Sequence, residues 1–292
     1  MACQKYRDWS PKAETLQLVA DCNDIIDELS EYRLTLRQLY YQLVSRNIIR
    51  NTDKSYARLS RVLTNARYAG LVDWDAIEDR VRQPDAAPDW NTVQELVESA
   101  IASYRLPRWE GQDTYCELWV EKDALASVLK PLSRKYHVTL MVNRGYSSAS
   151  AMKASADRFL EAQELSDNEY LELCLFYLGD LDPSGQDMVR DIRDRLYEFG
   201  VDVNVEKIAL TYAQVQQYNP PPNPAKLTDS RAPAFVAKYG RYSWEVDALP
   251  PAVLSQIITD AIENVLDLDM MNEVIDRENV DTENLRKAVE NL

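Results

Sequence analysis

The sequence holds a single histidine, His137, in 292 residues. That excludes a histidine-rich metal site and leaves a Ser-His-Asp triad one candidate base, at the start of an apolar run expected to be a strand. Glycine is also scarce, at seven residues. None of Gly70, Gly111, Gly145, Gly179, Gly185, Gly200 and Gly240 forms a P-loop or a G-x-G-x-x-G turn, so an ATP-driven step would need a separate ATPase subunit. Cys3, Cys22, Cys116 and Cys174 are scattered without a C-x-x-C pair, which argues against a zinc site or a disulfide framework. No apolar run reaches the roughly 18 to 20 residues of a membrane span, and the opening MACQKYRDWSPK lacks an apolar signal core. A cytoplasmic protein without membrane attachment is expected.

What is present is ordinary globular composition, 46% hydrophobic and 28% charged, in a chain long enough for one large domain or two to three modest ones. The net charge of −15 would ordinarily argue against nucleic acid as a partner. Its distribution reverses that inference. Between Arg33 and Arg67 eight Lys and Arg stand against Asp53 alone, whereas from Asp260 onward ten acids, ending with Glu290, outnumber three bases.

Residues 13–31 have helical apolar spacing. Thr35 with Gln38 makes a capping-box signature ahead of the stripe Leu36, Leu39, Tyr40, Leu43 and Val44. A third helix pairs an apolar stripe (Leu59, Val62, Leu63, Ala66) with a cationic face of Lys54, Arg58 and Arg61, continued by Arg67. With AGLVDWDAIEDRVR as a wing, residues 1–83 are expected to form a winged helix-turn-helix that contacts DNA through those four cations; the plainer reading is a solvated basic helix. Residues 84–106 are expected to be a linker, PDAAPD, and a connecting helix with a stripe of Val93, Leu96, Val97, Ala100 and Ile101. Over 107–212, apolar runs at 115–120, 137–142, 173–178 and 205–211 alternate with helical patterns at 123–135, 149–164 and 186–199. That alternation predicts an α/β domain with a parallel sheet covered on both faces. Residues 213–292 begin proline-rich and end helical, with Leu254, Ile257, Ile258, Ala261, Ile262 and Val265 on one stripe. They are expected to pack on the α/β domain and to carry the acidic tail.

In open α/β sheets, functional groups gather beyond the carboxyl ends of the strands. Glu121 follows the first predicted strand. Asp180 and Asp182, in LGDLDPSG, follow the third, and period-2 alternation puts them on one side if the backbone stays extended. Three carboxylates at one sheet edge repel unless a cation neutralises them, and all-oxygen ligands suit Mg²⁺ or Mn²⁺. Two plainer roles stay open: Asp182 before Pro183 as a helix cap, and Glu121 with Lys122 as a surface pair.

VEKDAL at 120–125, GDLDPSG at 179–185 and TLRQLYY at 35–41 together resemble the A subunit of type IIB topoisomerases (topoisomerase VI) and the related meiotic double-strand-break proteins. The resemblance covers roughly residues 30–265. It implies a Toprim domain behind a winged helix, Glu121, Asp180 and Asp182 as metal ligands, and Tyr41 as the nucleophile that forms a 5′-phosphotyrosyl link. It also implies a homodimer in which tyrosine and metal site come from opposite protomers, with a B-type ATPase as a further partner. Two features depart from the pattern: the chain is shorter than full A subunits, and the loop Arg144 to Ser148 lacks the proline and acid often found there. WEVDALPP at 244–251 is similar to short orphan A-like proteins of prophages and plasmids, which implies a prokaryotic or mobile-element source. Two other functions remain open, a Toprim metal-dependent nuclease using water, and a DNA-binding or assembly protein without turnover.

The helical stripe bears on Tyr41 directly. Tyr40 lies on it, whereas Tyr41 is turned about 100° toward the polar face shared with Arg37, four residues earlier. A phenol with a pKa near 10 is a poor nucleophile at neutral pH, so Arg37 is expected to assist by favouring the phenolate and holding the phosphate.

Overall fold

The computed structural model describes residues 3–32, 34–77, 87–143 and 145–289. Arg33, Arg144, Glu290, residues 78–83 of the expected wing and residues 84–86 of the expected linker lie outside them. The N-terminal region is a three-helix unit, α1 (Ala13–Glu28), α2 (Leu36–Ser45) and α3 (Asp53–Tyr68). The capping box forms, with the Thr35 side chain accepting from the Gln38 N–H while the Gln38 side chain reaches back. Thr52 caps α3 in the same way through the Ser55 N–H. Val19, Cys22, Ile25, Leu39, Leu43, Leu59 and Leu63 make its core. Residues 70–76 are turns and bends, and Leu34 and Ile77 form one isolated bridge, so no winged hairpin is seen among the described residues.

Helix α4 (Val93–Ser103) begins at its Thr92 cap, but its predicted stripe is mostly outside the core. Only Ile101 is buried, while Val93 and Leu96 are exposed. The helix packs mainly on the long C-terminal helix, which is too narrow to cover a whole stripe.

The α/β region runs β1 (Thr114–Val120), α5 (Ala126–Tyr136), β2 (Thr139–Val142), α6 (Ala149–Leu165), β3 (Glu172–Leu178), α7 (Met188–Glu198) and β4 (Asn204–Ala209). All strand pairs are parallel, in the order β2-β1-β3-β4. Strand parity sorts the core into two layers. Cys116, Leu118, Val120, Phe176 and Leu178 face α5, and Trp119, Leu173, Leu175 and Tyr177 face α6 and α7. The chain leaves β1 toward one edge of the sheet and leaves β3 toward the other. The boundary between β1 and β3 is therefore the topological switch point, where a crevice opens beyond the strand ends. One predicted boundary is corrected. His137 is not in a strand: it closes α5 in a left-handed conformation (φ 52°) with its N–H on the Ser133 carbonyl, and β2 starts two residues later.

The chain continues through α8 (Tyr212–Tyr218), the two-residue strands β5 (Asn223–Pro224) and β6 (Tyr242–Ser243) flanking α9 (Ala232–Tyr239), then α10 (Pro251–Glu263) and α11 (Leu268–Val289). α10 packs on α5 and β4, and α11 carries α4. The segment 244–249 joins the two halves of the molecule. Ala248 belongs to the core of the helical unit, while Val246 and Leu249 belong to that of the sheet. Among the described residues no helix is long and apolar enough to cross a membrane.

Candidate active site

Glu121 extends β1 by one residue, its N–H bonded to the Leu178 carbonyl at 2.9 Å. Its Oε2 accepts from the Asp180 N–H at 3.1 Å and the Tyr177 hydroxyl at 3.4 Å. After β3, Leu181 pairs with Trp244 through two backbone hydrogen bonds of 2.9 and 3.0 Å, which keeps the chain extended past Asp180. The loop then folds back. Asp182 Oδ1 accepts from the Gly185 N–H at 2.5 Å and the Ser184 hydroxyl at 2.9 Å. A Cβ at Gly185 would collide with the Asp180 carbonyl, so only glycine allows this return. Lys207, from β4, donates to the carbonyls of Asp180 at 2.6 Å and Gly185 at 3.3 Å. Burial pushes its ammonium down to about 8, against the pull of Asp180, Glu121 and Asp182.

Lys122 carries the site's central cation. Its ammonium lies 2.9 Å from Asp180 Oδ2, 2.7 Å from Glu245 Oε2 and 3.1 Å from Asp247 Oδ1. Burial alone would lower its pKa, but Asp247, Asp180 and Glu245 together raise it above the ordinary lysine value. Arg37 enters from α2, paired with Glu245 and, through Nε at 3.1 Å, with Asp247, and donates to the Tyr41 hydroxyl at 3.4 Å. Glu245 and Asp247 were not picked out from the sequence. The available signal was their spacing, since Glu-Val-Asp in WEVDALPP repeats the period of Asp-Leu-Asp at 180–182.

The three predicted metal ligands sit at adjacent strand ends, and their hard oxygens suit Mg²⁺ or Mn²⁺. They do not converge as a cage. Asp180 is held by Lys122 and by the Val246 N–H at 2.9 Å, Asp182 caps its own turn, and Glu121 caps Asp180. Among the described residues no group of three acidic, histidine or cysteine side chains is arranged to hold a metal. Neither plainer role is realised as expected: Asp182 closes a turn and no helix starts at Pro183, since α7 begins only at Met188, and Lys122 pairs with Asp180 rather than with Glu121.

Asp180 nonetheless bears the signature of crowded carboxylates. Burial, with Glu121 and Asp247 adding to it and Lys122 opposing, pushes it up to about 7. The folded state therefore binds the proton more tightly than the unfolded chain, whose carboxyl titrates near 3.8. Stability should fall as pH rises from about 4 to about 7 and level off above. Asp180→Asn removes that dependence, so its melting temperature relative to wild type should climb across this window and then stay constant. Parallel melting curves from pH 4 to 8 would refute the assignment.

Tyr41 is buried, at 4% exposure, rather than turned to solvent as its helical position predicts. The polar face of α2 is covered by residues 246–248, which helical periodicity cannot reveal. Burial and the Glu245 carboxylate hold the phenol well above its ordinary value, outweighing Arg37. Tyr40 is buried as predicted, its hydroxyl accepting from the Thr52 N–H at 2.8 Å. Of the predicted DNA contacts, Lys54, Arg58 and Arg61 face solvent, with Arg58 also paired to Glu14 at 2.8 Å. Arg67 is turned inward instead. Its guanidinium stacks 4.5 Å over the Trp74 ring and donates to the Trp74 carbonyl at 2.6 Å, which locks the turn after α3. No protein-family model, curated protein or solved structure matches the chain.

Proposed function

We propose that the chain binds DNA and cuts its backbone by phosphoryl transfer at the β1–β3 switch point, with Tyr41 as nucleophile, in the manner of a type IIB topoisomerase A subunit. The observation that carries this reading is the Arg37 bridge. It ties the Tyr41 hydroxyl to Glu245 and Asp247, which share Lys122 with Asp180. A tyrosine, two cations and the switch-point acids are thus linked through one chain of contacts within the protomer.

Glu121, Asp180 and Asp182 would hold Mg²⁺ or Mn²⁺ only after Asp180 leaves Lys122 and Asp182 leaves its turn; the ion when bound would supply charge neutralisation for the transferred phosphate. Arg37 and Lys122 would bind phosphate oxygens, a role that draws them away from Glu245. Once Arg37 and Lys122 turn to phosphate, Glu245, held down to about 2 by these two cations against the effect of burial, becomes more basic and better able to take the phenol's proton. In the transfer the Tyr41 oxygen bonds to phosphorus, the bond to the 3′ oxygen breaks, and the phenol's proton is matched by one gained at the released 3′ hydroxyl. Cutting both strands takes two such sites, hence a homodimer, and ATP-driven strand passage would need a separate B-type subunit. The burial of Tyr41 favours a second reading, a metal-dependent nuclease in which water attacks.

The deciding assay incubates supercoiled DNA with the protein and Mg²⁺ or Mn²⁺. Wild type should nick or linearise it and Asp180→Ala should not; intact DNA with wild type would overturn the proposal. Lys54→Ala and Arg61→Ala should weaken DNA binding evenly across sequences. Each should also flatten the dependence of log affinity on log salt by about 0.9 if it removes one phosphate contact. An unchanged slope would remove α3 from the interface.

A further inference from the structure

The opposite end of the sheet carries a second charged site, of the other sign. Arg105 and Arg108 from the approach to β1 join Arg134, Lys135 and His137 at the end of α5 around a cleft of about 620 Å³. That volume lies within the range of small-ligand sites. Among the described residues no acidic side chain lines it. A neighbouring carboxylate, Glu278 of α11, is buried and already engaged by Arg108 at 3.0 Å, Arg105 at 3.6 Å and the Leu106 N–H at 2.9 Å.

Cations at a helix C-terminus ordinarily offset its dipole and cap its carbonyls. Here that work is done by other groups. The carbonyl of Ser133 takes the His137 and Val138 N–H groups, that of Lys135 takes Arg108, and that of Tyr136 takes the Trp109 indole. Arg134 makes no ion pair among the described residues, and the buried Arg108 Nε has no hydrogen-bond partner. His137 reports the resulting field, since burial, Arg108 and Arg105 lower its pKa while Glu278 opposes them. Five basic side chains line the cleft, while Glu278 balances Arg105 and Arg108 alone and Lys135 rests on the Tyr136 hydroxyl at 2.7 Å. In a chain of net charge −15 this concave surface therefore keeps an excess of positive charge that suits an anion.

We propose that this cleft binds a phosphate group, carried on a nucleotide or on a nucleic-acid strand, through Arg105, Arg134, Lys135 and the His137 imidazole. A carboxylate brings one charge, whereas a phosphate monoester brings about −1.5 to −2 and three acceptor oxygens, a better match for several forked donors. The site is independent of strand cleavage. The seven residues of β1 rise about 3.3 Å each and separate the two ends of the sheet by roughly 20 Å, so one phosphate cannot touch both.

Because His137 is the chain's only histidine, its imidazole proton resonance is a unique probe in the intact protein. Inorganic phosphate, a nucleoside monophosphate and a short DNA duplex would each be titrated at constant ionic strength, with acetate as the control. A saturable shift with a rise in the His137 midpoint is expected for phosphate-bearing ligands and none for acetate. The tightest arm identifies the carrier. Arg134→Ala, at an exposed position with no ion pair among the described residues, should weaken binding about tenfold, the loss of one charge-assisted hydrogen bond, and Arg134→Glu should weaken it further. An unsaturable shift, the same response to acetate, or unchanged affinity in both variants would overturn the site.

Discussion

Tyr41→Phe should abolish any covalent protein–DNA adduct and slow strand cleavage by about 10³-fold or more, the scale of losing a nucleophile outright. Phenylalanine keeps the ring that packs beside Tyr40, with centroids 5.4 Å apart, and removes only the oxygen between Arg37 and Glu245. DNA affinity should not change, because the exposed cations of α3 are untouched. Stability should drop by about 1.5 to 3 kcal/mol, as expected for hydrogen bonds to charged groups. The measurement is a denaturant quench followed by separation of free from protein-linked DNA. Normal cleavage by Tyr41→Phe with no adduct in wild type would move the chemistry to water and leave the acid cluster as the whole site. The burial of Tyr41 sharpens the test. The phenol can reach phosphorus only if incoming DNA takes Arg37 from Glu245, so cleavage should lag binding.

The parts of the molecule legible in the sequence are those governed by short-range rules. The Thr35–Gln38 capping box and the continuous apolar runs of β1 and β3 depend on neighbours within a few residues, and both appear as predicted. Glu121 and Asp180 could be placed side by side because parallel strands bring their carboxyl ends together. The closure of the site could not. Arg37 and Glu245 are 208 residues apart, and the helical period shows only that the Arg37–Tyr41 face is polar, not that another segment covers it. Arg67 looks identical to Arg61 in a charge count, yet the turn after α3 brings Trp74 beneath it. His137 was read as strand because an apolar run follows it, whereas the end of α5 needed a residue in the left-handed conformation at that point.

Arg158→Ala should cost about 3 kcal/mol of folding stability or more, the largest single loss expected outside the catalytic groups. Its partner Glu117 is fully buried in the middle of β1, on the layer packed by α6 and α7, where an unpaired carboxylate has no access to water. Arg158 grips both its oxygens, at 2.7 and 2.8 Å, and supplies the only positive charge paired with it among the described residues. The Trp119 indole at 2.7 Å and the Tyr115 hydroxyl at 3.2 Å would remain and keep the cost toward the lower end of the about 3 to 5 kcal/mol typical of a broken buried pair. Urea unfolding should show a lower midpoint at an unchanged slope. Replacing both partners with leucine should recover most of the loss, because the penalty comes from the stranded charge rather than from the missing bond. If Arg158→Ala unfolds with the wild-type midpoint, Glu117 is not buried as described. The consequence reaches the site as well. Glu117 fixes the strand that delivers Glu121 and Lys122 four and five residues later, so the single variant should also weaken the cation binding proposed for the switch point, and the double leucine variant should restore it with the register of β1.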